Sequence, residues 1–332
     1  MEFTGAGRLE VRITPLDVGK RVSIRRLVDT GAGAPAFTDT VGVLTSWDNA
    51  VLLVTRRTGE SVRIPEADMV AGKVVPAAPA RRRGPATDFA ELSRVTARAW
   101  RPVESEPLGE WELRASSGFT RRANSALPGG DPGLPLTEAL ARVRDWYAAR
   151  DLTPYVQAAT GAAGTQEELC AGLEAHDWRR EVSADVRIAG LAPVADLDAD
   201  AERVELARSF GEAWLRRYQR SGEAGAHILQ VLGSGPSVWF ASVPGTGDVP
   251  AAIGRCVIDG RWAGFMAVEV DPAYRRQGLA TAVMTALARR ALEEGASAAW
   301  LQAETDNEGA RALYRGMGFE THHSYHHFRP GV

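Results

Sequence analysis

Lysine is nearly missing from this chain of 332 residues, with Lys20 and Lys73 the only two. Arginine carries the other positive charges and is spread through every segment, which reads as genome composition rather than a functional patch. The formal net charge is −3, too small for a global field that draws nucleic acid or an anionic membrane. Cysteine is as scarce. Cys170 and Cys256 stand alone, without the spacing of a metal or redox pair, so a reducing cytoplasm is the default expectation. No apolar run approaches the roughly 20 residues of a membrane span. Met1-Glu2-Phe3-Thr4-Gly5 lacks the basic and hydrophobic regions of a secretory signal. Neither common nucleotide loop is present: there is no G-x-x-x-x-G-K-S/T and no G-x-G-x-x-G.

Short β-rich runs dominate the first quarter, at Val18 to Val28, Thr40 to Ser46, Ala50 to Arg56, Ser61 to Ile64 and Met69 to Val75. Trp47-Asp48-Asn49 and Arg57-Thr58-Gly59-Glu60 supply turns between them. Five short strands predict a small SH3-like barrel over residues 1–76. A Pro/Ala/Arg linker follows over 77–87; its three arginines are either solvated or meet an acidic partner. Beyond it the order strand, helix, strand, helix, strand occurs twice. Trp111 to Ser117, Leu136 to Ala149, Thr153 to Ala158, Gln166 to Ala175 and Trp178 to Ile188 form the first run. The second run lies around Arg275, and the copy that holds it begins near Asp200 with a helix from Glu202 to Arg220, then strands His227 to Leu232, Val238 to Val243, Ala251 to Ile258 and Trp262 to Val270. The chain therefore divides into halves 88–195 and 196–332, related as an internal duplication. Antiparallel strands feeding a helix-flanked C-terminal part predict an α+β fold.

The most informative segment runs from Val268 to Thr281. An apolar strand ends at Pro272, and the basic turn Ala273-Tyr274-Arg275-Arg276-Gln277-Gly278 opens into a helix carrying Leu279, Val283, Ala286, Leu287, Ala291 and Leu292 at helical spacing. Unpaired backbone N–H groups and the positive end of a helix dipole meet there, the natural seat of a phosphate. An ordinary strand-to-helix connection has the same composition. The spacing, however, is R-x-x-G-x-A at Arg275, Gly278 and Ala280. A buried strand follows at Ser297 to Glu304, then N-x-x-A-x-x-L-Y-x-x-x-G-F from Asn307 to Phe319.

Together these two motifs resemble the acyl-CoA-binding core of the GNAT N-acetyltransferase superfamily, over Glu202 to Arg329. The whole layout resembles a group of actinobacterial acetyltransferases. The resemblance implies a GNAT fold, a mixed and mostly antiparallel sheet flanked by helices, whose first copy is degenerate. There Pro128 to Leu134, acidic and interrupted by proline, replaces the phosphate loop. It further implies acetyl transfer from acetyl-CoA to a small-molecule or protein amine in a ternary complex, without a metal. Val268, Glu269 and Val270 would then pair with the pantetheine arm and Asn307 would hydrogen-bond it. The amides of Arg276, Gln277, Gly278, Leu279, Ala280 and Thr281 would take the pyrophosphate, with Arg275 and Arg276 adding charge. Tyr314 matches the superfamily's general acid beside the thiol, and a backbone N–H at a strand bulge near Val268 would hold the thioester oxygen.

The general base is open. Ribosomal-protein acetyltransferases carry glutamate where this chain has Gln302. Glu304, two residues on and on the same strand face, is the first candidate and Glu269 the second; a water relay is the third. In the tail, His322 and His326 alternate with His323 and His327, a pattern open to a substrate-pocket, surface or metal role, without a carboxylate or cysteine to complete a metal site. A non-catalytic acyl-CoA-binding module is the rival functional class, and a homodimer is left open.

Overall fold

The computed structural model describes residues 11–28, 36–55, 61–75, 84–218 and 225–331. The expected turn Arg57 to Glu60 and most of the linker lie outside these residues. Two compact units are present, Met1–Arg83 and Gly84–Val332.

In the first unit, β1 (Arg21–Val28), β2 (Ala36–Asp48), β3 (Val51–Thr55), β4 (Ser61–Pro65) and β5 (Met69–Val74) form one antiparallel sheet in the order β4-β3-β2-β1-β5. Alternation sends Val22, Ile24, Leu52, Val54 and Ile64 to a single core with Ile13 and Leu44, as a half-buried sheet requires.

The second unit opens with α1 (Phe89–Arg98), whose N-cap Asp88 accepts a hydrogen bond from the Glu91 N–H. A small sheet of β6 (Glu104–Leu108), β7 (Trp111–Ala115) and β8 (Leu127–Pro128) follows. Then come α2 (Leu136–Ala148), β9 (Val156–Thr160), α3 (Glu167–Ala175), β10 (Trp178–Gly190) and α4 (Leu191–Ala195). The chain continues through β11 (Glu205–Ala207), α5 (Glu212–Arg217), α6 (Ala226–Gly233), β12 (Ser237–Val243), β13 (Ala252–Asp259) and β14 (Trp262–Val270). It ends with α7 (Leu279–Glu293), β15 (Ala298–Glu304), α8 (Glu308–Gly316) and β16 (Glu320–Pro330).

One sheet of eight strands organises all of this, in the order β11-β12-β13-β14-β15-β10-β16-β9. Alternate residues face opposite sides. Ala252, Cys256, Ala263, Phe265, Ala299 and Leu301 pack under α4 and α7. Ile253, Val257, Trp262, Met266, Ala298 and Trp300 face the layer of α1, α5 and α6. The sheet joins the two halves that the sequence divides near residue 195. β10, from the first half, lies between β15 and β16, while β16 pairs in turn with β9. Each half thus places its last strand beside the other's penultimate one.

Two elements differ from the sequence expectation. Residues 227–232, expected as a strand, are helical in α6, because Ile228, Val231 and Leu232 recur at i, i+3 and i+4 and bury together. A short apolar run satisfies either period, and packing decides. The expected helix Glu202 to Arg220 is instead a short 3-10 turn, then β11, then α5. Glu205–Ala207 gains a ladder against Phe240–Ser242, and Gly211 starts the helix anew. Residues 219–224 lie outside the described set. Leu292, expected on the buried face of α7, is 37% exposed.

Arg255 braces the core. It is fully buried on β13 and donates to the carbonyls of Ala99, Leu232 and Ser234, which close the C-terminal ends of α1 and α6, where a cation is favoured. Burial lowers its guanidinium to about 9. No helix among the described residues is long and apolar enough to cross a membrane.

Candidate active site

The site begins where two parallel strands separate. β14 and β15 pair over only four positions, Trp262–Phe265 against Ala298–Leu301. Gly264 lets them come this close, since a Cβ there would strike the Trp300 ring. Beyond Phe265 the pairing stops, which leaves the inner edge of Met266–Val270 without a strand partner among the described residues. On its other side β14 carries a bulge: the register to β13 shifts between Ile253 and Arg255, and Ala267 takes φ +50°. Positive φ at an alanine is a strained conformation held by its surroundings. Ala267 and Val268 both line the gap.

A cavity of about 560 Å³ fills that gap. Val268, Glu269, Glu304, Asn307 and Tyr314 line it together, although they come from two strands and a helix. By alternation Glu304 and Gln302 share the face of Trp300, and Glu269 lies opposite Val268. Tyr314 packs with the core on the other face, beside Phe319. The opening therefore connects both faces of the sheet. Tyr314 is half-buried, and desolvation pushes its phenol up to about 12, so it keeps its proton at neutral pH. The Asn307 Oδ1 accepts from the Ala310 N–H at 3.0 Å and caps α8, which leaves its amide Nδ2 for the cavity.

The remaining expected residues sit outside the cavity wall. Val270 continues the strand edge, paired with Ala252. Asp271 accepts from the Ala273 N–H at 2.8 Å and pairs with Arg217, fixing the turn Pro272–Tyr274. Arg275, Arg276, Gln277 and Gly278 are exposed, with Arg276 at φ +65° and Gly278 at φ +75°. Gly278 is the N-cap of α7 and has no side chain with which to cap it. Among the described residues no protein acceptor meets the N–H groups of Arg276 to Thr281. These donors lie at the helix end whose dipole favours an anion. A Cβ at Gly278 would touch nothing, so backbone conformation is what demands glycine within the free protein.

Sequence reasoning missed the far wall. Arg121, Arg122 and Thr120 from the first half line the cavity, on a turn held by buried Asn124. The Asn124 Oδ1 accepts from the N–H groups of Ser116 and Gly118, and its Nδ2 donates to the Phe119 and Thr120 carbonyls. Arg122 lies over Trp100 and donates to the Gln302 Oε1. No pattern near Arg122 signals this, because its partner Gln302 lies 180 residues away in the sequence.

His327 completes that wall, and strand alternation does separate it from His326. The His326 ring is satisfied, bonding Ser183 Oγ at 2.7 Å and Thr160 Oγ1 at 2.9 Å. His327 is 3% exposed, and neither of its ring nitrogens has a partner. Burial holds its imidazole well below the usual 6.5, with Arg114, Arg122 and Arg121 adding to the effect. The His322 and His323 rings contact each other through Nδ1 at 2.8 Å. No group of three His, Cys, Asp or Glu suited to a metal occurs among the described residues.

A family model described as "Probable histone acetyltransferase Rv0428c C-terminal" matches residues 86–328, the stretch that builds both the sheet and the cavity. The chain belongs to that family. A second model, "Rv0428c N-terminal Sm-like domain", matches residues 16–73, so the five-stranded unit is described as Sm-like where the sequence suggested SH3-like. Over 311 residues the chain is 26% identical to the probable histone acetyltransferase Rv0428c of Mycobacterium tuberculosis, covering 92% of this chain and 93% of that protein. A stretch of 68 residues is 37% identical to the ribosomal protein bS18-alanine N-acetyltransferase of Escherichia coli strain K12, 20% of this chain and 45% of that one. Among solved structures, a GCN5-related N-acetyltransferase from Kribbella flavida covers 74% of this chain and 98% of its own, with TM-score 0.54 and 20% identity. The Rv0428c-like chain is thus an N-acetyltransferase with an α+β GNAT fold.

Proposed function

We propose that this protein transfers an acetyl group directly from acetyl-CoA to a primary amine, both substrates being bound at once across the gap between β14 and β15. The observation that carries the reading is the opening itself. It runs from Tyr314 on one face of the sheet to Glu269 and Glu304 on the other, and β14 on its wall leads on in sequence to the uncapped amides at the start of α7. Acetyl-CoA supplies an activated thioester whose sulfur leaves as a thiolate.

The chain's own groups fit the reactants. Main-chain N–H groups from Arg276 to Thr281 hold the diphosphate, assisted by the side chains of Arg275 and Arg276. The unpaired edge of Val268, Glu269 and Val270 lies alongside the pantetheine arm, and the Asn307 amide donates to it. A main-chain N–H turned inward at the Ala267–Val268 bulge donates to the thioester oxygen as negative charge develops there. Tyr314, still protonated, gives its proton to the departing sulfur. Glu304, directly or through water, takes the proton that the attacking amine must lose, and Glu269 is the second candidate.

Isothermal calorimetry and thiol release test this together. Acetyl-CoA should bind the folded protein, and Gly278→Val should abolish that binding while leaving the melting transition cooperative. Full affinity in the variant would remove the loop from the site.

A further inference from the structure

We propose that the amine acetylated by this protein is an amino acid, its free carboxylate held by Arg122 and His327 at the first-half wall of the cavity. This rests on the acetyl-transfer reading above and adds the class of acceptor.

The argument starts from charge that has no match. Among the described residues, Arg122 meets a neutral amide, Gln302, and the face of Trp100, but no carboxylate. Arg114, just behind it, is 3% exposed and donates to the Ser125 carbonyl and hydroxyl and to the Gln157 amide, again without a carboxylate. Arg121 does have an acidic partner, Glu181, at 2.7 Å. This end of the cavity therefore carries net positive charge in a partly desolvated wall, where an unpaired guanidinium is costly and a planar anion is its natural complement.

A second observation points the same way. His327 lines the cavity with both ring nitrogens unpartnered, although it is almost fully buried. Buried polar groups are ordinarily satisfied; its neighbour His326, on the same strand, is bonded at both nitrogens. A neutral imidazole offers one N–H donor, and a carboxylate seated on Arg122 would accept from it.

Gln302 is what leaves the arginine available. A glutamate at this position would form an ion pair with Arg122 and cancel its charge. Glutamine holds the guanidinium in place through one hydrogen bond and leaves it able to bind an anion. Two residues further along the same strand face, about 7 Å away, Glu304 lines the cavity and suits the ammonium group before it loses its proton. A zwitterion would thus meet a cation and an anion lining one cavity. The turn bearing Arg122 is rigid by construction, with Asn124 making all four of its amide hydrogen bonds and Trp100 donating to Thr120.

The test is thiol release from acetyl-CoA with the twenty common amino acids, each beside its carboxamide. At least one amino acid should be turned over, and its carboxamide should lose about 30-fold in kcat/KM, the equivalent of ~2 kcal/mol for an unpaired buried charge. Arg122→Gln should remove the preference for acid over amide, chiefly through KM, with little change for the amide. Gln302→Glu should do the same by pairing with Arg122, in a variant that keeps the wall intact. A purely structural Arg122 would slow acid and amide alike, and that result overturns the proposal. So does preferred turnover of amides or of lysine side chains in peptides. Acetyl-CoA binding without turnover of any amino acid refutes the acceptor class alone, whereas no binding of acetyl-CoA refutes the acetyl-transfer reading itself.

Discussion

Two loops in this protein lead into a helix after a strand hairpin or edge, and they treat their main-chain amides in opposite ways. In the loop before α2, the Asp131 N–H donates to the Glu110 Oε2 at 2.7 Å, and the Gly133 N–H donates to the Asp131 Oδ1 at 2.8 Å. The Gly129 N–H donates to the Glu110 carbonyl. Internal carboxylates occupy the places an anion would take. In the loop before α7 the donors from Arg276 to Thr281 meet no protein acceptor among the described residues, and the side chains beside them are Arg275 and Arg276. One loop is self-neutralised and closed. The other leaves its donors without a partner among the described residues and holds two positive φ angles.

The comparison can be broken from either side. Tyr314→Phe should produce the largest effect, about 10³-fold in kcat with acetyl-CoA affinity intact, as expected when a general acid is removed. Because the phenol stands near 12, the wild-type pH–rate profile should show no loss from Tyr314 ionisation below about pH 10; such a loss near neutrality would move the acid elsewhere. Gly278→Val comes next. It forces a β-branched residue into left-handed backbone and should weaken acetyl-CoA binding by at least about 100-fold in calorimetry, whereas Gly133→Val should leave it unchanged.

A smaller effect tests the seam between the halves. His326 ties β16 to Ser183 of β10 and Thr160 of β9, and burial lowers its ring to about 4. The folded ring stays neutral while an unfolded one takes a proton below about 6.5. Its contribution is thus complete above pH 6.5 and fades as pH falls toward 4, about 2 kcal/mol by pH 5. Denaturant unfolding at pH 7 and pH 5 should show that drop, reduced by the same amount in His326→Asn. An unchanged pH dependence would show that His326 does not carry it. The smallest effect belongs to Glu110→Gln, which should cost about 1 kcal/mol of stability, the worth of an exposed hydrogen bond, with no effect on acetyl-CoA.

Local chemistry was legible in the sequence, and long-range chemistry was not. The R-x-x-G-x-A and N-x-x-A-x-x-L-Y spacings marked the turn before α7 and the start of α8, and the family they resemble pointed to Tyr314 and to a bulge near Val268; the positive φ of Gly278 and the capping bond of Asn307 came only with the structure. The helical α6 was misread because Ala226 to Leu232 is apolar enough to suit a strand, and only its packing beneath Phe240 and Val257 selects the 3.6-residue period. Arg122 and Asn124 were invisible for a different reason. Arg122 meets Gln302 only because the two halves share one sheet, a pairing that no local period encodes, and Asn124 holds the turn that carries it through loop contacts with no periodic signature. His327 stood between these cases: alternation separated it from His326, but nothing in the sequence showed which of the two would be left without partners.

Counting acetyl-CoA sites on the intact chain by calorimetry tests the account most directly. One site per chain, lost on Gly278→Val, is the expected result. No site at all, or a second one that survives the substitution, would contradict the division of labour between the closed loop and the open one.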